Sequence, residues 1–372
     1  MKNAIKKYLP FLYSLLLRIK SLVSLLINRK FTDSESYFAE YADRRRSRFE
    51  IFIDQCKHIL KHGGPNEYYF LYGLDIKDMH KADSYVDYRE FMLCRDRLNR
   101  LSDNSPVAVL RNKFLFGTFA KALGVDTPNN IGIVEDGKIY LLNSKERIDF
   151  NQYINSNEVD TFIKSIDGEC ADGVYHLQIQ QGNIILSGNE VSYPALCEIL
   201  GGGKYLLQER IYQHKAINAI YSGAINTIRL ETVYDRANRK IEILPPLLRV
   251  GTGSNRVDNW AVGGLAIGID VENESLHKYG FYKPGYGTKA LEHPNSGIVF
   301  DGYKIPFLQQ AIEQAKNLHS FLPGVHSIGW DIAIGENGPI IIEGNDNWEI
   351  SLVQICSHGL QKEFDNYFNW YR

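Results

Sequence analysis

Ile328-Gly-Trp-Asp-Ile-Ala-Ile334 and Pro339-Ile-Ile-Ile-Glu-Gly-Asn345, joined around Glu336-Asn337-Gly338, are the two runs whose reading decides the fold. Each is short, β-branched and apolar, and a polar turn separates them, which is the pattern of an antiparallel hairpin. Side chains alternate faces along a strand, so Asp331, Glu343 and Asn345 share a face only if odd positions pair with odd positions. A three-residue loop, Glu336 to Gly338, with Gly338 left-handed gives that register, setting Asp331 opposite Glu343 and Gly329 opposite Asn345. Ile328, Trp330, Ile332, Ile334, Ile340 and Ile342 then form the other face and pack on helices. Two carboxylates inside a buried apolar hairpin repel each other and are costly to desolvate without a balancing cation. Hard oxygen donors favour magnesium, with phosphate oxygens completing its octahedron. The competing expectation is an exposed polar face on an edge hairpin.

Outward from the hairpin, short β-branched or aromatic runs alternate with helices from Pro106 to the end, predicting an α+β core of two mixed sheets, each with helices on one face. Strands are expected at 131–134, 139–142, 161–165, 173–180, 183–187 and 205–211, then at 227–235, 240–250, 263–270, 328–334 and 339–345. Helices fit 113–123, 191–200 and 307–321. Residues 31–105 are polar, aromatic and mostly helix-like, and read as a helical accessory layer. The division is 1–30, an amphipathic helix; 31–105, the accessory region; 106–205 and 206–372, the two parts of the core.

At 372 residues, 44% apolar and 23% charged, the chain is an ordinary globular protein, and its net charge of −2 carries no footprint for duplex nucleic acid. Cys56, Cys94, Cys170, Cys197 and Cys356 lie far apart, without metal-ligand spacing, and read as reduced thiols in a cytoplasmic setting. Near the start, Leu12, Leu15, Leu16, Ile19, Leu22, Val23 and Leu26 repeat at helical spacing. Arg18 and Lys20 interrupt the run, which is short of the roughly 20 apolar residues a span needs, and no signal-peptide cleavage site follows. Lys6, Lys7, Arg18, Lys20, Arg29 and Lys30 suit a helix lying on the inner face of the cytoplasmic membrane; the alternative is packing on the protein's own core. Basic clusters at Arg44, Arg45, Arg46, Arg48 and at Arg95, Arg97, Arg100 are expected to be solvated helix faces, with an acidic ligand as the alternative.

Asp on one strand followed by Glu-x-Asn on the next resembles the metal-binding end of the ATP-grasp superfamily. The wider order Asn226-Thr-Ile-Arg229, Val257-Asp-Asn-Trp260 with Gly263-Gly264, His293-Pro294, Gly329-Trp-Asp331 and Glu343-Gly-Asn345 resembles its sugar-transfer-associated family, related to the alpha-L-glutamate ligases. The resemblance covers about Arg111 to Gln354. It implies an ATP-grasp fold of two α+β subdomains clasping ATP, with Mg2+ held by Asp331, Glu343 and Asn345. It makes Lys113 and Lys164 phosphate contacts and the stretch between Gly168 and Gly173 a loop closing over them. That stretch departs from the family pattern, with Ser165 for the usual proline and few glycines. The strand Tyr205-Leu-Leu-Gln-Glu-Arg-Ile211 would join the two halves, its edge at Gln208, Glu209, Arg210 and Ile211 recognising adenine. Arg229 and Arg249 sit in apolar strands where a guanidinium requires an anion. They brace a phosphate or substrate carboxylate, or else pair with Glu231 or Glu242. Asn226, Asp258 and Asn259 would face the acceptor, and His293 is either a turn residue or a site residue.

These expectations describe an ATP-dependent, Mg2+-requiring carboxylate-amine ligase working through an acyl phosphate in cell-surface polysaccharide synthesis. Its substrates would be a small-molecule carboxylate and an amine or glycan. No Walker sequence is present, which excludes a P-loop route to ATP. Two alternatives share the residues: a kinase that phosphorylates a sugar or alcohol, and a non-catalytic nucleotide- or glycan-binding assembly factor.

Overall fold

A computed structural model describes residues 10–100, 106–168 and 173–368. The first segment contains α1 (Pro10–Ile27), α2 (Arg48–His62) and α3 (Tyr88–Asn99), with long irregular stretches between the last two. Ser47 and Glu50 form a reciprocal capping box that starts α2, and Gly63, left-handed at φ +89°, ends it. The basic cluster in this region is spent on its own backbone: Arg44 donates to the Lys77 carbonyl at 2.5 Å, Arg45 to that of Ser34 at 2.5 Å and Arg46 to that of Leu74 at 2.9 Å. Arg95 is buried against the Trp348 carbonyl.

After α4 (Val107–Arg111) and α5 (Lys113–Ala122) comes a sheet of β1 (Asn130–Glu135), β2 (Lys138–Leu141), β3 (Arg147–Asp149), β4 (Val159–Ser165), β5 (Val174–Gln180), β6 (Asn183–Leu186), β7 (Asn189–Val191) and β8 (Tyr205–Glu209). Two helices, α6 (Phe150–Ser156) and α7 (Tyr193–Leu200), cover it. Its order is β3-β2-β1-β8-β4-β5-β6-β7. The chain then passes through α8 (Lys215–Ile220) into a second sheet, made of β9 (Thr227–Asp235), β10 (Lys240–Ile243), β11 (Leu247–Val250), β12 (Leu265–Asp270), β13 (Ser275–Tyr282), β14 (Lys289–Ala290), β15 (Ser327–Gly335) and β16 (Gly338–Asn345). Its order is β14-β13-β12-β11-β9-β15-β16, with β10 beside β9. Helix α9 (Leu308–Ser320) precedes β15, and α10 (Ile350–Cys356) and α11 (Gln361–Tyr367) follow β16.

The α+β class and most strands agree with the sequence, but mixed sheets do not: every strand pairing among the described residues is antiparallel. The strand Ser275–Tyr282 was not expected. Cys56, Cys94, Cys197 and Cys356 are free thiols, and Cys170 lies outside the described residues.

The second sheet is sandwiched. Ile228, Leu230, Leu248, Val250, Leu265, Ile267, Ile328, Trp330 and Ile332 face α9 and also receive Val107, Leu110, Phe116 and Ala120 from α4 and α5. The other face meets the accessory region: Val233, Leu247, Ala266 and Phe281 pack with Tyr69, Tyr72, Phe91, Trp348 and residues of α10 and α11. By strand alternation this second face also carries Arg229, Arg249 and Asp331. The accessory region therefore walls one end of the face on which the charged residues sit.

Candidate active site

The hairpin reaches its register by a different route from the one expected. Gly335 pairs with Gly338, so the turn is two residues, Glu336 and Asn337, and near it even positions pair with odd: Ile334 with Pro339, Ala333 with Ile340, Ile332 with Ile341. An extra residue, Ile342, then bulges from β16, and beyond it Asp331 faces Glu343 and Gly329 faces Asn345. A bulge inserts one residue and re-aims the side chains beyond it. The apolar partition is corrected accordingly: Ile341 is fully buried with Ile332, whereas Ile340 and Ile342 are half-buried. Gly338, at φ +149°, adopts a backbone that other residues avoid.

Asp331 is the centre of a buried charged cluster. Arg229, its cross-strand neighbour on β9, donates from Nη1 to Oδ1 at 2.6 Å, and Arg249 donates from Nη2 to Oδ2 at 2.9 Å. Arg249 also donates to the Thr227 hydroxyl at 2.8 Å, and its Nε lies 3.4 Å from Asp258. Burial raises the Asp331 carboxyl, but the two guanidiniums outweigh it and hold the group below the ordinary carboxylate range. Glu343 goes the other way: burial and then Asp331 raise it, while Lys113 and Lys164 oppose. Below Arg229, at 3.3 Å from its Nε, is Glu231, wholly inaccessible and without a hydrogen bond on either oxygen. Burial lifts Glu231 from 4.5 to about 7, with Arg229 opposing and Asp331 assisting.

Lys164 projects from β4 and is pulled down to about 8 by burial, against Glu343 and with Lys113. Lys113 opens α5, where Asn112 caps the helix, and its ammonium donates to the Gly168 carbonyl. The two lysines thus come to the same carboxylate from separate elements. Gly173, at φ +65°, accepts from the Ser165 N–H at 2.8 Å. The loop expected to close over phosphates, 169–172, lies outside the described residues.

Strand β8 does lead from one sheet to the other: beyond Glu209 the chain runs through Arg210 and Ile211 to Gln213, which bridges to Gly335 at the hairpin turn. The expected free edge is corrected at its first two residues. β8 is inserted between β1 and β4, pairing Gln208 with Asn130 and Phe162, and Glu209 with Thr161, and the Glu209 N–H donates to the Asn129 carbonyl at 2.9 Å. The ladder ends there, and Arg210 donates to Asp160 at 2.7 Å.

Within the chain, each of the three residues expected to face an acceptor acts as a brace. Asn226 is buried, donating to the Gln213 side chain at 3.0 Å and the Tyr221 carbonyl at 2.7 Å and accepting from the Gly251 N–H at 3.2 Å. Asp258 accepts from the Thr227 N–H at 3.1 Å and from its hydroxyl, behind Arg249. Asn259 caps the short helical turn Trp260–Val262 through Ala261 at 2.8 Å. The following Gly264 fits because a Cβ would lie 2.7 Å from the Asp258 carbonyl oxygen. His293 donates from Nε2 to the Gly251 carbonyl at 2.8 Å and is a turn residue. Thr227 and Glu231 were not singled out as site residues. The period-two polar run Thr227, Arg229, Glu231 between Ile228 and Leu230 was the signal that could have found them.

Among the described residues no three His, Cys, Asp or Glu side chains form a metal-holding group. Asp331, Glu343 and Asn345 nevertheless suit a divalent cation that shares its shell with phosphate and water: one carboxyl is driven up by the other, and Asn345 turns Nδ2 to Glu343 at 3.3 Å, leaving its oxygen available. The residues fit magnesium.

The chain matches the model of the family described as sugar-transfer associated ATP-grasp over residues 95–367. Comparison with curated proteins finds no match. Among solved structures it is similar to N5-carboxyaminoimidazole synthase from Aspergillus clavatus in complex with ADP, at 11% identity and TM-score 0.38, over 64% of this chain and 45% of that one. It is also similar to D-alanine-D-alanine ligase from Helicobacter pylori, at 13% identity and TM-score 0.38, over 69% and 60% of the respective chains. A third is N5-carboxyaminoimidazole ribonucleotide synthetase from Thermotoga maritima, at 12% identity and TM-score 0.36, over 68% and 48%. The matched part thus spans less than two-thirds of each of these structures. A family match that runs from α3 through both sheets to α11 makes the chain a member of the sugar-transfer-associated ATP-grasp family.

Proposed function

We propose that the protein is an ATP-dependent, ADP-releasing ligase that joins a carboxylate to an amine through an acyl phosphate, with a glycan or glycan precursor among its substrates. The observation that carries this reading is the row of buried Thr227, Glu231 and Asp331 with half-buried Arg229, Arg249 and Glu343 on one face of an apolar sheet, with Lys113 and Lys164 converging on Glu343. So many ionisable groups out of water cost more than a structural role repays unless the cluster serves chemistry. The family's association with sugar transfer supports the glycan. We place the reaction in the cytoplasm, at the inner face of the membrane.

Lys113 and Lys164 bind the nucleotide's phosphates, Lys164 keeping most of its ammonium charge at neutral pH because it titrates near 8. Arg229 and Arg249, each held by one oxygen of the Asp331 that lies between them, keep guanidinium groups ready for charge that builds on the transferring phosphoryl group and the attacking carboxylate. Their rigidity matters, since fixed donors need no reorganisation during the reaction. Asp331, Glu343 and Asn345 would hold Mg2+, which, when bound, neutralises the β- and γ-phosphates. Arg210 and Ile211, past the end of the β8 ladder, would meet adenine.

The test is mass spectrometry of products after incubation with ATP, Mg2+, amino acids and uronate-containing sugars. An amide product with equimolar ADP and phosphate is expected, and Glu343→Gln should abolish ADP formation while leaving the thermal midpoint within a few degrees. Phosphate retained on an acceptor without any carboxylate requirement would make the protein a kinase and refute the ligase.

A further inference from the structure

We infer that α1 seats the protein on an anionic lipid surface by the face it turns away from the protein. A helix on the surface of a globular protein ordinarily buries its apolar stripe and exposes its polar one. Helix α1 is reversed. The seam toward the protein holds Ser14, Arg18, Ser21 and Leu25, spaced three or four residues apart. Arg18 donates from Nε to the Leu60 carbonyl at 3.0 Å, and Ser21 donates to the Gly63 carbonyl at 2.9 Å. These carbonyls belong to the C-terminal end of α2, where a helix leaves acceptors without intrahelical donors. Arg18 and Ser21 are thus spent on the protein, with Leu25 buried beside them.

At 100° per residue, Leu12, Leu15, Leu16, Ile19, Val23, Leu26 and Ile27 fall in one arc on the opposite side. All are exposed, from 42% at Leu12 to 77% at Ile27. Lys20 borders the arc, and Arg29 and Lys30 follow the helix. From Met1 to Thr32 the sequence has seven Lys or Arg and no Asp or Glu, in a chain whose net charge is −2. An apolar arc whose only charged neighbours are cations matches acyl chains beneath anionic head groups. A second copy of the same helix fits poorly, since pairing would oppose two cationic rims. Among the described residues no helix is long and apolar enough to cross a membrane, so α1 lies in the surface plane.

This deepens the membrane placement proposed above and stands apart from the ligase chemistry. Full-length protein is mixed with vesicles of phosphatidylcholine alone or with phosphatidylglycerol added, and floated. Binding to the anionic vesicles is expected to exceed binding to the neutral ones by at least about tenfold and to fall by at least about tenfold in Leu16→Glu/Val23→Glu. Both substituted side chains are exposed, so the thermal midpoint should not move, and Glu343→Gln should float as wild type does whether or not it turns over ATP. Flotation unchanged in the double variant, or equal on neutral vesicles, overturns the inference. So does a concentration-dependent dimer that the double variant dissolves while wild type ignores vesicles.

Discussion

Replacing Glu231 by Gln should stabilise the protein at alkaline pH while leaving it nearly unchanged in mild acid. Glu231 is wholly buried, neither side-chain oxygen has a hydrogen-bond partner, and its largest compensation is the Arg229 guanidinium, with Nε at 3.3 Å. Its carboxyl titrates near 7 in the folded protein against 4.5 ordinarily. Between those values the folded state holds a proton that the unfolded state has released, so stability falls as pH rises from about 4.5 to about 7 and is level above. The ionised group then costs the fold about 3 kcal/mol at pH 8, and under about 1 kcal/mol at pH 5. Gln is neutral at every pH and close in shape to the protonated acid. Urea unfolding of both proteins at pH 5 and pH 8, followed through the fluorescence of the buried Trp330 and Trp348, reads the difference directly. Subtracting wild type from variant at each pH removes the contribution of His319 and His326, which burial depresses to about 4 in both proteins. A Gln variant less stable than wild type at pH 8, or a difference independent of pH, would mean that Glu231 is an ionised counter-ion to Arg229 and that the reasoning from burial is wrong.

Two further outcomes bear on the site. ADP release should decline as pH rises through about 8, as the buried Lys164 ammonium is lost, and Lys164→Arg should remove that alkaline limb from kcat/KM even while lowering its plateau; an unmoved limb assigns it to another group. Asn226→Ala, which deletes three side-chain hydrogen bonds, should cost about 2 to 3 kcal/mol of stability and leave both substrate KM values within about twofold. A tenfold rise in either KM at unchanged stability would return Asn226 to the acceptor site.

Alternation was the most legible feature. Thr227, Arg229 and Glu231 of β9 recur every second position against Ile228 and Leu230, and Asp331 of β15 sits between Trp330 and Ile332, so the sequence told which side chains share a face. It did not tell what each polar group does. Asn226, Asp258 and Asn259 stand beside reactive-looking neighbours, yet their amide and carboxylate groups fold the chain around Arg249, and nothing in spacing separates a brace from a contact. The edge expected at Gln208 and Glu209 failed for a non-local reason, because β8 enters between two strands formed much earlier in the chain. Parallel and antiparallel pairings share local propensities, which is why mixed sheets looked plausible from the sequence. For α1, periodicity exposed an amphipathic helix but not which side the protein would claim. The carbonyl end of α2 decided that.

The two-residue tip and the supernumerary Ile342 together fill the odd number of positions that separates Asp331 from Glu343. Residues set across from each other in an antiparallel ladder share a side, so excising Ile342 would straighten β16 and still leave Glu343 across from Asp331 and Asn345 across from Gly329. A longer tip is equally harmless while Gly335 stays opposite Gly338. The common side of the three oxygens therefore rests on partnership between the two strands and not on the count of residues joining them, which leaves tip and bulge free to vary separately.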